Sequence, residues 1–79
     1  MSLNEAKLND LLIVKGIKAG RKAYRRLVSL GINVGDRIRV LHSAPFGGAI
    51  LVEDLDSGIK VALGQGLARK IIVEHAQHN

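Results

Sequence analysis

The sequence predicts a mostly-β domain with one α-helix inserted after the first strand. Three observations carry the prediction. Short apolar or alternating runs recur along the chain, separated by turns that contain glycine. One stretch, Arg21 to Leu30, has the helical period instead, with Ala23, Leu27 and Leu30 on one face. The chain has 79 residues, 47% of them hydrophobic and none of them cysteine, so it holds one small core with neither a disulfide nor a cysteine-ligated zinc to support it.

The elements follow in order. Leu8 to Val14 carries Leu8, Leu11, Leu12, Ile13 and Val14 and stops at Lys15-Gly16, and its end reads as the first strand. Ile17 to Gly20 connects it to the helix, which ends where Gly31 supplies a left-handed cap. Val34-Gly35-Asp36 is a turn. Arg37-Ile38-Arg39-Val40 alternates polar and apolar residues, the mark of a half-buried strand. Ser43 to Gly48 contains the single proline and the adjacent Gly47 and Gly48, and reads as a loop. Ala49 to Leu55 and Ile59 to Leu63 form a hairpin about the tight turn Asp56-Ser57-Gly58. Gly64 to Ala68 has room for one helical turn, Lys70 to Glu74 is the last strand, and His75 to Asn79 reads as a frayed tail. Several short strands in one small domain tend to close on themselves, because closure removes exposed edges. The expected architecture is a small SH3-like five-stranded barrel, a single domain over residues 1–79 with its core at about residues 8–74.

The residues present speak against catalysis. There is no cysteine nucleophile, and Ser2, Ser29, Ser43 and Ser57 lie in no nucleophile-elbow motif. Gly64-Gln65-Gly66 is a fragment of a glycine loop without the lysine and hydroxyl of a phosphate-binding motif. The acids are scattered, with Asp36 and Asp56 at turns. His42, His75 and His78 are the only imidazoles. They are candidates for weak divalent metal binding, against the plainer reading of a solvated tail, since a dedicated site needs three or four converging ligands. No cofactor is expected.

Charge is the more pronounced signal. The net charge is +5 and the pI about 10.1, which favours acidic partners. Lys18, Arg21, Lys22, Arg25 and Arg26 crowd the start of the helix, and no acid lies between Asp10 and Asp36. Like charges at i and i+4, as in Arg21/Arg25 and Lys22/Arg26, cost about 0.2–0.5 kcal/mol per pair in isolated helices. The alternatives are a solvated helix face and an electrostatic docking surface, and the crowding favours the second. Arg21, Lys22, Arg25 and Arg26 are therefore the candidate partner-binding residues, with Phe46 of the proline loop as a candidate anchor. Tyr24 and Phe46 are the only aromatics, too few for a base-stacking platform or a proline-peptide groove. No apolar run approaches the roughly 20 residues of a membrane helix, and no secretion signal opens the chain. A cytoplasmic location is expected.

Three segments resemble the FeoA family. Tyr24 to Ile38 is similar to its "RL-x-x-LGI-x-PG-x-x-I" stretch, and Ala44-Pro45-Phe46-Gly47-Gly48-Ala49-Ile50 to its "AP-x-GG-P-I" loop. Gly58 to Leu63, followed by Leu67 to Val73, resembles its closing hairpin and last strand. Val34 and Ala49 stand where the family usually has proline. The resemblance implies an SH3-like barrel and a cytoplasmic accessory of ferrous-iron uptake, whose partner would be the FeoB-type membrane transporter, through its GTP-binding or membrane part. Contact with the anionic inner leaflet is an extension of that reading. Gly31, Gly35, Gly47 and Gly48 match motif positions that serve backbone geometry. A related domain closes iron-dependent repressors, but no helix-turn-helix region precedes this one, so the stand-alone form is expected. The alternatives are a basic nucleic-acid-binding barrel, which the lack of aromatics disfavours, and an iron-sensing domain.

Overall fold

A computed structural model of the chain describes residues 1–18, 20–43 and 48–76. Its elements are β1 (Leu11–Ile17), α1 (Arg21–Ser29), β2 (Arg37–Ser43), β3 (Ile50–Asp54), β4 (Lys60–Leu63), a four-residue helix α2 (Gln65–Ala68) and β5 (Ile71–His75). The strands form one antiparallel sheet in the order β4-β3-β2-β1-β5. The fold is mostly β and SH3-like, with α1 inserted after the first strand as expected.

Register explains why these residues form this sheet. Leu12 faces Ile38, Val40 faces Val52, Ile50 faces Leu63, and Val14 faces Val73. All of these side chains are buried, so each ladder aligns apolar partners on the inner face. A slip of one residue would turn the whole set outward. The helix adds Leu27 to this core, and Ile32 follows from beyond its end.

Two strands run further than the sequence predicts, for one reason. β1 passes through Lys15-Gly16 to Ile17, because the register against β5 shifts between Val14 and Gly16. β2 passes Val40 to Ser43 through a similar shift between Val40 and His42. A bulge absorbs one residue and lets pairing resume beyond it. β5 likewise takes in His75, and the Ala76 amide donates to the Leu11 carbonyl at 2.9 Å. His75 thus belongs to a strand and not to a frayed tail.

The barrel does not close through hydrogen bonds. Among the described residues no ladder joins β4 to β5, and α2 bridges these two edge strands with Ala68 buried beneath it. The outer edge of β5 is covered by the first residues: Ser2 forms a bridge with Ile72, and the Val73 amide donates to the Met1 carbonyl at 2.8 Å. A 3-10 turn at Leu3–Glu5 then drops Leu3 into the core.

The end of α1 is fixed by a cap. The Ile32 amide donates to the Leu27 carbonyl, and the Gly31 amide to the Val28 carbonyl, both at 3.0 Å. This is the Schellman arrangement, with Gly31 in the left-handed region at φ +92°. A Cβ at Gly31 would also collide with Cδ1 of Ile59 from the β3–β4 turn. Gly35, at φ +96°, makes the turn into β2, and its amide donates to the Val14 carbonyl at 2.8 Å.

Candidate functional site: a groove with a basic rim

α1 presents Lys22, Ala23, Arg26 and Leu30 along one side, the spacing of a single helical stripe. This stripe borders an open groove of about 460 Å³. The opposite wall is Ala62 and Leu63 of β4, Gly64, and Leu67 of α2, with Lys70 beyond. The floor is apolar and the rim carries three cations. The groove lies between α1 and the continuous segment formed by β4, Gly64 and α2. β4 has a ladder partner on one side only, so its free edge runs beside the groove.

The electrostatics of α1 are unfavourable on their own. Arg21 and Lys22 occupy the first turn, at the positive end of the helix dipole, where no acid is present and the N-cap Gly20 supplies no side-chain acceptor. A cation there loses stability of about 0.3–1 kcal/mol at an exposed site. Arg21, Lys22, Arg25 and Arg26 are all exposed, and among the described residues none of them has an acidic partner within ion-pair distance. An acidic ligand at this face relieves the repulsion.

The candidate residues separate into groups. Lys22 and Arg26 line the groove, whereas Arg21 and Arg25 do not. Tyr24 and Val28, an i/i+4 pair, are half exposed at 50% and 41% and also lie off the groove. Phe46 and Gly47 lie outside the described residues. Gly48 is described, and its carbonyl accepts a hydrogen bond from Gln65 Nε2 at 2.9 Å, tying the end of the proline loop to α2. His42 is exposed on β2 opposite Leu51, and His75 sits on β5 opposite Leu12. His75 Nε2 lies 3.4 Å from Asp10 Oδ2. The fold does not gather His42 and His75 into one site, and His78 lies outside the described residues.

Sequence reading missed the groove's far wall. Ala62, Leu63, Leu67 and Lys70 carry no motif, and only the folded arrangement sets them against α1. No helix of the described chain is long and apolar enough to cross a membrane.

Comparison with known proteins agrees with this architecture. The FeoA domain family model matches residues 1–75. A relative from Methanocaldococcus jannaschii, named for Fe(2+) transport as protein A, is 41% identical over 73 residues, covering 92% of this chain and 84% of its own. A solved iron uptake regulatory protein (FeoA) superposes with a TM-score of 0.86 at 36% identity, covering 96% of this chain and 97% of that one. A manganese-dependent transcriptional repressor superposes with a TM-score of 0.87 at 34% identity over 96% of this chain, but this chain spans only 36% of the repressor. The chain belongs to the FeoA domain family.

Proposed function

We propose that this chain is an accessory of ferrous-iron uptake that docks on the cytoplasmic part of a FeoB-type transporter and modulates it, with no catalysis of its own. The observation that carries the reading is the groove: an apolar floor beside a free strand edge, rimmed by Lys22, Arg26 and Lys70, in a chain of the FeoA family. Such a surface suits an acidic segment with an apolar anchor. The anchor enters between Leu30 and Leu67, and the acids meet the rim. Charge complementarity of this kind sets encounter rate and specificity more than raw affinity.

The experiment is binding of the purified chain to the detergent-solubilised transporter and, separately, to its GTP-binding domain. Association is expected with at least one of them. Reversing both rim charges (Lys22→Glu with Arg26→Glu) is expected to weaken it by tenfold or more, or about 1.4 kcal/mol, while leaving the melting temperature within a few degrees. Absence of association with either, together with normal iron uptake in a deletion strain, overturns the reading.

A further inference from the structure

Apart from the cations of α1, three carboxylates converge where β2 begins and β3 ends. The β2–β3 ladder pairs Ile38 with Asp54, and the same register carried two residues outward sets Asp36 opposite Asp56. One carboxylate oxygen from each of Asp36, Asp54 and Asp56 lies within 4.8 Å of the others. The arrangement is held from behind by amides. Asp54 Oδ1 accepts from the Asp56 and Ser57 amides at 2.9 and 3.0 Å. Asp36 Oδ2 accepts from the Asn33 amide at 2.9 Å, and Asp56 Oδ2 from the Arg37 amide at 2.8 Å.

One atom in this cluster stands out. Asp54 is 0% exposed, the one fully buried charged residue of the described chain, and its Oδ2 has no hydrogen-bond partner. Oδ1 is committed to the turn and Oδ2 has no donor, while the carboxyl as a whole lies against that of Asp36. An unsatisfied buried carboxylate oxygen is costly and calls for a counter-charge. Among the described residues the one ion pair to this trio is Arg37, whose Nη2 is 4.0 Å from Asp56 Oδ1 at the exposed rim.

We propose that Asp36, Asp54 and Asp56 form a site for a hard divalent cation bound through oxygen alone. The donor set decides the class: three carboxylates with no nitrogen or sulfur suit magnesium, calcium or manganese(II) and disfavour zinc and copper. Asp54 supplies the buried ligand. Asp36, half-buried, and Asp56, exposed, leave the outer side open to water ligands. Burial pushes the Asp54 carboxyl up, and the facing Asp36 adds to it against the pull of the Ser57 and Asp56 amides. A divalent ion reverses that penalty. The site is independent of any transporter partner.

The test is a titration of manganese(II) chloride into the isotope-labelled full chain, read by paramagnetic broadening of backbone amides. The amides of Asp36, Arg37, Asp54, Asp56 and Ser57 are expected to broaden first and saturably. Magnesium or calcium in excess is expected to reverse the broadening. A saturating cation is expected to raise the melting temperature by roughly 4 °C or more. Asp54→Asn keeps an oxygen for the turn amides and turns a donor toward Asp36. It is expected to fold at least as stably without metal and to bind manganese at least tenfold more weakly. Asp36→Asn, at a less buried position, repeats the loss if the first variant fails to fold. Broadening spread evenly over surface acids or centred on the histidines overturns the proposal. So does a wild-type response in Asp36→Asn, or an unmoved melting temperature, the result if Asp54 holds only a proton.

Discussion

Two regions of this molecule crowd like charges, cationic on α1 and anionic around the β2 and β3 turns, and the fold treats them in opposite ways. On α1 the cations are exposed and keep their water, so each like-charge pair costs only a few tenths of a kcal/mol. At the turns around β2 and β3 the crowding runs inward, and Asp54 has lost its water entirely. On the docking reading proposed above, the first arrangement takes its counter-charge from outside. The second needs its counter-charge within the fold. Solvation therefore decides whether a charge cluster serves as a docking face or as an internal ligand set.

The two regions are joined through the core and the end of α1, and breaking that joint gives the largest effects. Leu27 is the single side chain of α1 that is fully buried. Leu27→Ala is expected to destabilise the chain by about 2–5 kcal/mol, the usual range for a core leucine. It should loosen α1 from the sheet and so erase the groove, which denaturant unfolding and loss of transporter binding would both register. Gly31 comes next. It ends α1 in a left-handed conformation and lies against Ile59 of the β3–β4 turn. Gly31→Ala is expected to cost at least about 1–2 kcal/mol from backbone strain alone, with the contact on Ile59 added. The companion change Ile59→Ala should recover the steric part and leave the strain. If the double variant is no more stable than Gly31→Ala, the two regions are not coupled through this contact.

The sequence revealed most where the signal is local. Alternation exposed β2, the Asp56-Ser57-Gly58 turn exposed the β3–β4 hairpin, and the run from Arg21 to Leu30 exposed α1 with its glycine cap. The bulges at Lys15 and Leu41 escaped, because a bulge is defined by the partner strand and not by the residue that forms it. The pairing of Ser2 with Ile72 and the failure of β4 to meet β5 escaped for the same reason. The candidate sites divide likewise. The cations of α1 are neighbours in sequence and were visible. The groove's far wall comes from β4 and α2, and the acidic trio needs Asp36 brought across to the hairpin. The spacing of Asp54 and Asp56 about one turn was the only local trace of it.

A fourth carboxylate sharpens the contrast by its sign. Asp10 Oδ2 accepts from the Lys7 amide at 2.8 Å and lies 3.4 Å from His75 Nε2. The Lys7 amide, chiefly, and His75 hold its carboxyl below the ordinary carboxylate value, outweighing partial burial. Asp54 is displaced the other way. For Asp10 the folded carboxyl is the stronger acid, so its contribution to stability is present above the unfolded value of about 3.9. That contribution is lost as pH falls through the lower folded value. Partial exposure keeps it within about 1 kcal/mol. Asp10→Asn keeps an acceptor for the Lys7 amide and removes the charge. Wild type is expected to exceed this variant slightly in unfolding free energy near neutral pH, and the gap should close as pH falls from about 5 to about 2. A gap that stays constant over that range assigns the role of Asp10 to the shape of its turn and not to its charge.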